Sequence, residues 1–460
     1  MNTPSDKEKL QELSSAPVGR LLWRYSLPAV VGMLVMSLYN IVDRIFIGQG
    51  VGPEAIAGLA ITFPVMNLTA ALGVLIGAGG SARISILLGG KDFPGAKRVL
   101  ETAFILQVLV VTLYLAVFAI FIDEILVAFG ASSVTLPYAR DFMLWILPGM
   151  MFTNFAFTFN NFMRVTGYPV KAMVTMFIGA GLNVVLAPIF IFGLKWGIKG
   201  AAIATDISMA VSALWVMSHF FNPRNVLTLT KDFRWFGLPD LKVTAQIVSI
   251  GAAPSLVNAA ACFINVIINK SLYTYGGDVA VGAAGIFTSY TSLMTMVVVG
   301  LCQGMQPIVG YNYGAALYGR LRSTYLMAVG VATLVVALGQ AGGQLMPWYI
   351  ARAFTVDAVL IEKTVNCLTI SLTAFSVVGF QIVSTTLFQS LGKAKASIFL
   401  SMIRQVIFLI PLLMLLPRNY GLDGVWMAFP ISDVLATVVT LGMVLYEMRS
   451  LRRLAATSQL

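Results

Sequence analysis

Asp43, Asp206, Arg404 and Asp433 are ionisable residues set inside long apolar stretches. Each costs about 2.5 to 3.5 kcal/mol to insert into a bilayer, so a charge kept there faces the protein interior, pairs, or lines water. Tyr39 and Asn40, four and three residues before Asp43, share its helical face. Counting from Arg24, Asp43 lies roughly 28 Å along its stretch, and Asn183, counted from Lys171, lies roughly 18 Å from the same side. Asp206 stands roughly 9 Å in from the opposite end of its own stretch. Asp43, Asn183 and Asp206 can therefore meet in the outer half of one bundle. A carboxyl so placed exchanges a proton, or contributes to a sodium site if more oxygens converge. The bland alternatives are a structural carboxylate, paired with Arg44 or a loop, for Asp43, and a water-exposed helix-end carboxylate for Asp206.

A second set lies later in the chain. Arg404 is roughly 14 Å from Lys395 on one side, and Asp433 roughly 15 Å from Asp423 on the other, which places both near mid-membrane on adjacent stretches. They read either as a salt bridge that packs two helices or as a substrate or proton site. Asn265, Gln303, Gln306, Gln381 and Gln389 line a cavity or merely link helices. His219 reads as an interfacial side chain, and Cys262, Cys302 and Cys367 have neither metal-ligand nor disulfide spacing. No phosphate-binding loop, His-rich metal cluster or nucleophile elbow occurs, and one His leaves the usual general base nearly missing. The expectation is a non-enzyme with no catalytic residues, no resident metal and no cofactor.

The elements that must position these residues follow from composition. Of 460 residues 58% are hydrophobic and only 11% charged, against roughly 25% charged in soluble domains. The chain divides into twelve apolar stretches long enough to cross a bilayer, the first at 21–49 and the last at 424–446. The net charge of +11 is spread over loops, which argues against a nucleic-acid partner. Lys and Arg concentrate in alternate loops, which predicts cytoplasmic termini. The expected domains are a cytoplasmic segment 1–20, an N-lobe 21–221, a linker 222–243, a C-lobe 244–446 and a cytoplasmic tail 447–460. A repeat at about 224 residues supports two halves: Pro28 and Asp43 match Pro254 and Asn269, Gly79 and Gly89 match Gly304 and Gly314, and the Gly197–Gly200 motif matches Gly421–Gly424. The fold class is thus an all-α polytopic membrane protein, twelve transmembrane helices in two six-helix lobes related by a pseudo-two-fold along the membrane normal.

LYNIVD at 38–43, NNFMRVTG at 160–167, KGAAIAT at 199–205, QGMQPIVGYNYGA at 303–315, FQSLGKA at 388–394 and Arg404-Gln405 resemble the MATE (multidrug and toxic compound extrusion) exporters, in particular their bacterial DinF/MepA-like branch. The resemblance implies an inner-membrane antiporter of amphipathic, often cationic compounds, working by alternating access against protons or sodium. Its partners would be the lipid bilayer and small organic substrates, with the chain a monomer. Carried over by position, the cation site uses Tyr39, Asp43, Asn160, Asn183 and Thr205. Relatives usually carry an Asp four residues after the Asn at 183; this chain has Ala187, and Asp206 stands as a possible replacement. A lipid or lipid-linked saccharide flippase is the alternative from another class.

Overall fold

The computed structural model describes residues 6–50, 53–133, 135–229, 233 and 237–457, and every element among them is helical. In chain order these are α1 (Asp6–Ser15), α2 (Val18–Gly50), α3 (Pro53–Gly89), α4 (Phe93–Ala128), α5 (Leu136–Val165), α6 (Pro169–Pro188), α7 (Gly197–Phe220), α8 (Leu241–Gly314), α9 (Tyr318–Leu345), α10 (Pro347–Phe354), α11 (Ala358–Ser371), α12 (Ser376–Ser390), α13 (Ala394–Met402) and α14 (Ile410–Thr457). Wider π-helical turns at Ile189–Gly193 and Ile403–Leu409 extend α6 and join α13 to α14.

Nine helices among the described residues are long and apolar enough to cross a membrane. The 74 residues of α8 would run roughly 110 Å if straight, far beyond any bilayer. They are two spans that turn at Gly277, whose φ of 65° and ψ of −164° suit a residue without a Cβ. The run from α13 through α14 holds two spans in the same way, turning at Gly421 with φ 57°. The pair α11 and α12, bent by 59°, forms one more, which gives the expected twelve crossings. Gln340 of α9 bridges that bend: its Nε2 donates to Thr373 O at 2.8 Å and its Oε1 accepts from Ser376 N at 2.8 Å. An amide side chain thus satisfies backbone groups that a broken helix would otherwise strand in the apolar region.

The chain forms two compact units, Met1–Ser15 with Val31–Ala259, and Ala16–Val30 with Ala260–Leu460. This division differs from lobes split at 221 and 244, because the first part of α2 groups with the later spans and the first part of α8 with the earlier ones. The packing shows why. In the first unit a Cβ on Gly251 would fall 1.8 Å from Leu75 O, and one on Gly79 1.9 Å from Ile247 O. In the second unit a Cβ on Gly300 would fall 2.6 Å from Val30 Cα, and one on Gly304 2.5 Å from Ser26 Cα. Glycine alone permits backbones this close.

The segments expected to be polar ends and a linker are more structured than that. Residues 6–20 are helical, with Leu10 and Leu13 of α1 buried and Lys9 Nζ 3.8 Å above the Tyr168 ring. In the linker, Leu227, Leu229 and Phe233 are buried, and Phe233 packs edge-on against Phe104 at 5.5 Å; its residues 230–232 and 234–236, with Lys231 and Arg234, lie outside the described residues. Toward the tail, α14 continues to Thr457, and Glu447 is buried with Oε2 2.5 Å from Lys393 Nζ.

The repeat extends to backbone detail. Gly167 and Gly392 close α5 and α12 with φ of 98° and 72°. The turn after α5 is tied by Asn160 Nδ2 donating to Ala172 O at 2.7 Å, and the turn after α12 by Ser397 Oγ donating to Thr385 O at 3.4 Å.

Candidate functional site

The first unit is built around α5, which is mostly buried and packs against α3, α4, α6 and α7. On one side of it, α2, α6 and α7 bring three polar side chains together. Asn183 of α6, 1% exposed, donates through Nδ2 to Thr205 Oγ1 at 2.8 Å. Thr205 in turn donates to Ala201 O at 3.1 Å. The buried Tyr39 hydroxyl of α2 reaches the Thr205 hydroxyl, and Asp43, one turn further along α2, lies within electrostatic reach of Tyr39. Tyr39 is held by Ala180 and Met209, with Val35, Met36 and Phe152 around them. The Arg44 side chain, proposed as a structural partner of Asp43, lies outside the described residues.

Ala187, one turn beyond Asn183, is fully buried in an apolar cluster with Ile47, Ile191, Ala201 and Ala204. The side chains packed at that position are hydrocarbon. Asp206 does not fill it. Adjacent residues of a helix point about 100° apart, and while Thr205 turns toward α6, Asp206 turns toward α5. There its Oδ1 occupies a notch at Gly149: a Cβ on residue 149 would lie 1.9 Å from that oxygen.

Asn160 stands apart from this group. Its Oδ1 accepts from Arg164 Nη2 at 3.0 Å and its Nδ2 donates to Ala172 O, at the start of α6. Asn183 is eleven residues further along α6, roughly 16 Å away along the axis. Being one turn from Arg164 decides the matter, because a buried guanidinium takes the nearest amide oxygens; Asn161 Oδ1 accepts from Nη1 at 3.2 Å. Arg164, like Gly149, escaped sequence reasoning as a buried polar centre.

In the second unit Arg404 Nε donates to Asp433 Oδ1 at 2.6 Å, from the π-helical turn to α14. Gln306, Gln381 and Gln389 are buried, Gln303 half-buried, and Asn265 exposed on α8. A cavity of about 340 Å³ opens in this unit between α2, α8 and α9, and none of Asn265, Gln303, Gln306, Gln389, Arg404 or Asp433 lines it. His219 packs edge-on against Tyr168 at 4.6 Å, with Asn225 Nδ2 3.1 Å from its Nδ1, as a buried packing residue. Cys302 and Cys367 are buried free thiols, and the Cys262 side chain lies outside the described residues.

Comparison with known proteins agrees with this architecture. The MatE family model matches twice, over residues 28–189 and 254–415; the two matches open on Pro28 and Pro254, the prolines that mark the repeat. The chain is 26% identical over 458 residues to a multidrug export protein, MepA, of Staphylococcus aureus strain MRSA252, covering 98% of this chain and 99% of that one. Among solved structures, an outward-facing multidrug resistance MATE family transporter of the MOP superfamily superposes with a TM-score of 0.90 at 26% identity, covering 98% of this chain and all of that one. A MOP superfamily transporter from Pyrococcus furiosus, described as having a binding pocket of reversed polarity that suggests a different function, superposes with a TM-score of 0.89 at 26% identity, covering 98% and 99%.

Proposed function

The chain belongs to the MatE family of membrane transporters, and from that premise we propose that it is a secondary exporter of amphipathic, cationic compounds driven by inward proton flow through Asp43. It works in the inner membrane as a monomer with both termini cytoplasmic, and no resident cofactor takes part. One observation carries the coupling assignment: the Tyr39–Thr205–Asn183 chain beside Asp43. A carboxylate only accepts hydrogen bonds, whereas a protonated carboxyl also donates one. Tyr39 and Thr205 carry hydroxyls, which both donate and accept, and Asp43 acts on Tyr39 through its charge, so protonation of Asp43 changes the field in which the chain orders. Because its members stand on α2, α6 and α7, that change acts on three spans of the first unit at once. The hydrocarbon surroundings of Ala187 favour a proton over sodium, because a bare sodium ion needs several oxygens where a proton needs one carboxyl.

The test is uptake of ethidium into proteoliposomes with pH and sodium gradients imposed separately. The pH gradient alone should drive transport, and Asp43→Asn should abolish that drive while leaving the chain monodisperse. Wild-type rates in Asp43→Asn, or drive by sodium without a pH gradient, would overturn the assignment.

A further inference from the structure

The cavity of about 340 Å³ in the second unit is almost wholly hydrocarbon. Leu22, Val298 and Leu301 form its buried floor, while Trp23, Leu27 and Val331 form a rim that is exposed on the chain as a whole. The hydroxyl of Ser26, which also lines it, is already donated to Leu301 O at 3.3 Å. Sites for drug-sized ligands keep a few placed polar groups that fix orientation. This floor offers none, and in a span its mouth opens where lipid chains lie.

A basic side chain stands near the mouth. Arg20, exposed on α2, precedes Trp23 by three residues and Leu27 by seven, so it continues the stripe that lines the cavity toward the helix start. A Trp and an Arg in the first two turns of a span sit at headgroup level, with the arginine head in the interface. We propose that this cavity holds one acyl chain of an anionic phospholipid drawn from the surrounding bilayer, its phosphate held by Arg20. The hydrocarbon floor takes the chain, the Trp23 ring covers it at the rim, and the Arg20 guanidinium selects a negative headgroup. This site depends on α2, α8 and α9 spanning a membrane and stands whether or not the chain exports drugs.

Trp23 reports on its own cavity. The full-length chain is placed in nanodiscs of phosphatidylcholine doped with either phosphatidylglycerol or phosphatidylcholine carrying dibrominated acyl chains, and the Trp23 signal is the parent emission minus that of Trp23→Phe. Half-maximal quenching should need a mole fraction of brominated phosphatidylglycerol about five-fold lower than of brominated phosphatidylcholine, the factor that one near-surface arginine contributes. Arg20→Gln should erase that preference, and Val331→Phe, which narrows the mouth, should lower the quenching plateau for both lipids. Equal quenching by the two lipids in the parent is ordinary bilayer contact and overturns the proposal, as does absence of a Trp23 component. Relief of quenching by added tetraphenylphosphonium also overturns it, in favour of a substrate site. If Trp23→Phe fails to fold, native mass spectrometry of the parent and of Arg20→Gln in detergent replaces the fluorescence. One retained phosphatidylglycerol per parent chain, lost in the Arg20→Gln chain, supports the site; equal retention overturns it.

Discussion

Neutralising Arg404 and neutralising Asp433 should differ in cost, although both break one ion pair. The side chain of Asp433 is 2% exposed and that of Arg404 27%, with Nε and Oδ1 2.6 Å apart. Arg404→Gln leaves a carboxylate sealed in apolar packing without its counter-charge, and breaking a buried pair in this way costs about 3 to 5 kcal/mol. At about 1.4 kcal/mol per factor of ten, that shifts the folded-to-unfolded ratio by two to nearly four orders of magnitude. Asp433→Asn keeps an oxygen for Nε and leaves a guanidinium that is 27% exposed rather than sealed. What it loses is the difference between a charged and a neutral hydrogen bond, about 1 to 1.5 kcal/mol. The double variant removes both charges and should return close to the parent. Thermal melts by size-exclusion in detergent, run on the four proteins side by side, read this order directly. If Asp433→Asn is as harmful as Arg404→Gln, or the double variant no better than Arg404→Gln, the burial asymmetry does not govern the pair. A double variant that folds like the parent but no longer transports would move the pair from packing into the transport cycle.

Three further outcomes follow from the geometry. Gly149→Ala places a methyl where the Asp206 Oδ1 now sits, so it should destabilise the chain by about 1 to 3 kcal/mol; shortening the intruder with Asp206→Ala in the same chain should recover most of that in a double-mutant cycle of melting points. Gly304→Ala, with its methyl 2.5 Å from the Ser26 backbone, should lower the melting point, whereas Gly319→Ala, where a Cβ meets nothing within 4 Å, should leave it unchanged. Ala187→Asp should reduce the yield of folded protein, at a cost of about 2.5 to 3.5 kcal/mol, because Ile47, Ile191, Ala201 and Ala204 surround it; a full yield together with new sodium-driven uptake would show instead that oxygens lie within its reach.

Most of the architecture is legible in the sequence because bilayers impose it: span length, basic loops and Gly breaks such as Gly276-Gly277-Asp278 are local signals. The α11–α12 bend is not, since residues 372–375 contain no Gly or Pro, and the residue that stabilises the break, Gln340, sits on another helix. At the site, Tyr39 and Asp43 are readable as one helical face. Asn183 with Thr205 needed the family resemblance, because nothing local joins residues 22 apart. Asn160 was assigned to that group by position and is claimed instead by Arg164, a competition that spacing along α5 displays but motif matching ignores. The notch that receives Asp206 is announced only by Pro148-Gly149 inside a span, a pair that flags a local irregularity without saying which side chain enters it. The amphipathic Leu10 and Leu13 of α1 were hidden by a segment that is polar on average.

The ties across the two matching turns carry a consequence for anyone recombining the halves. In one the amide of residue 160 gives a hydrogen to the carbonyl of residue 172; in the other the hydroxyl of residue 397 gives one to the carbonyl of residue 385. Donor and acceptor have traded sides between positions that the repeat equates, so the two copies share the contact and not the residues that make it. Transplanting Thr385 alone onto position 160 would leave Ala172 facing a side chain with no amide, and transplanting Ser397 alone onto position 172 would set a second donor beside Asn160. A symmetrised or chimeric descendant of this chain would have to exchange whole turns, from 160 to 172 against 385 to 397, with both sides of each bond travelling together.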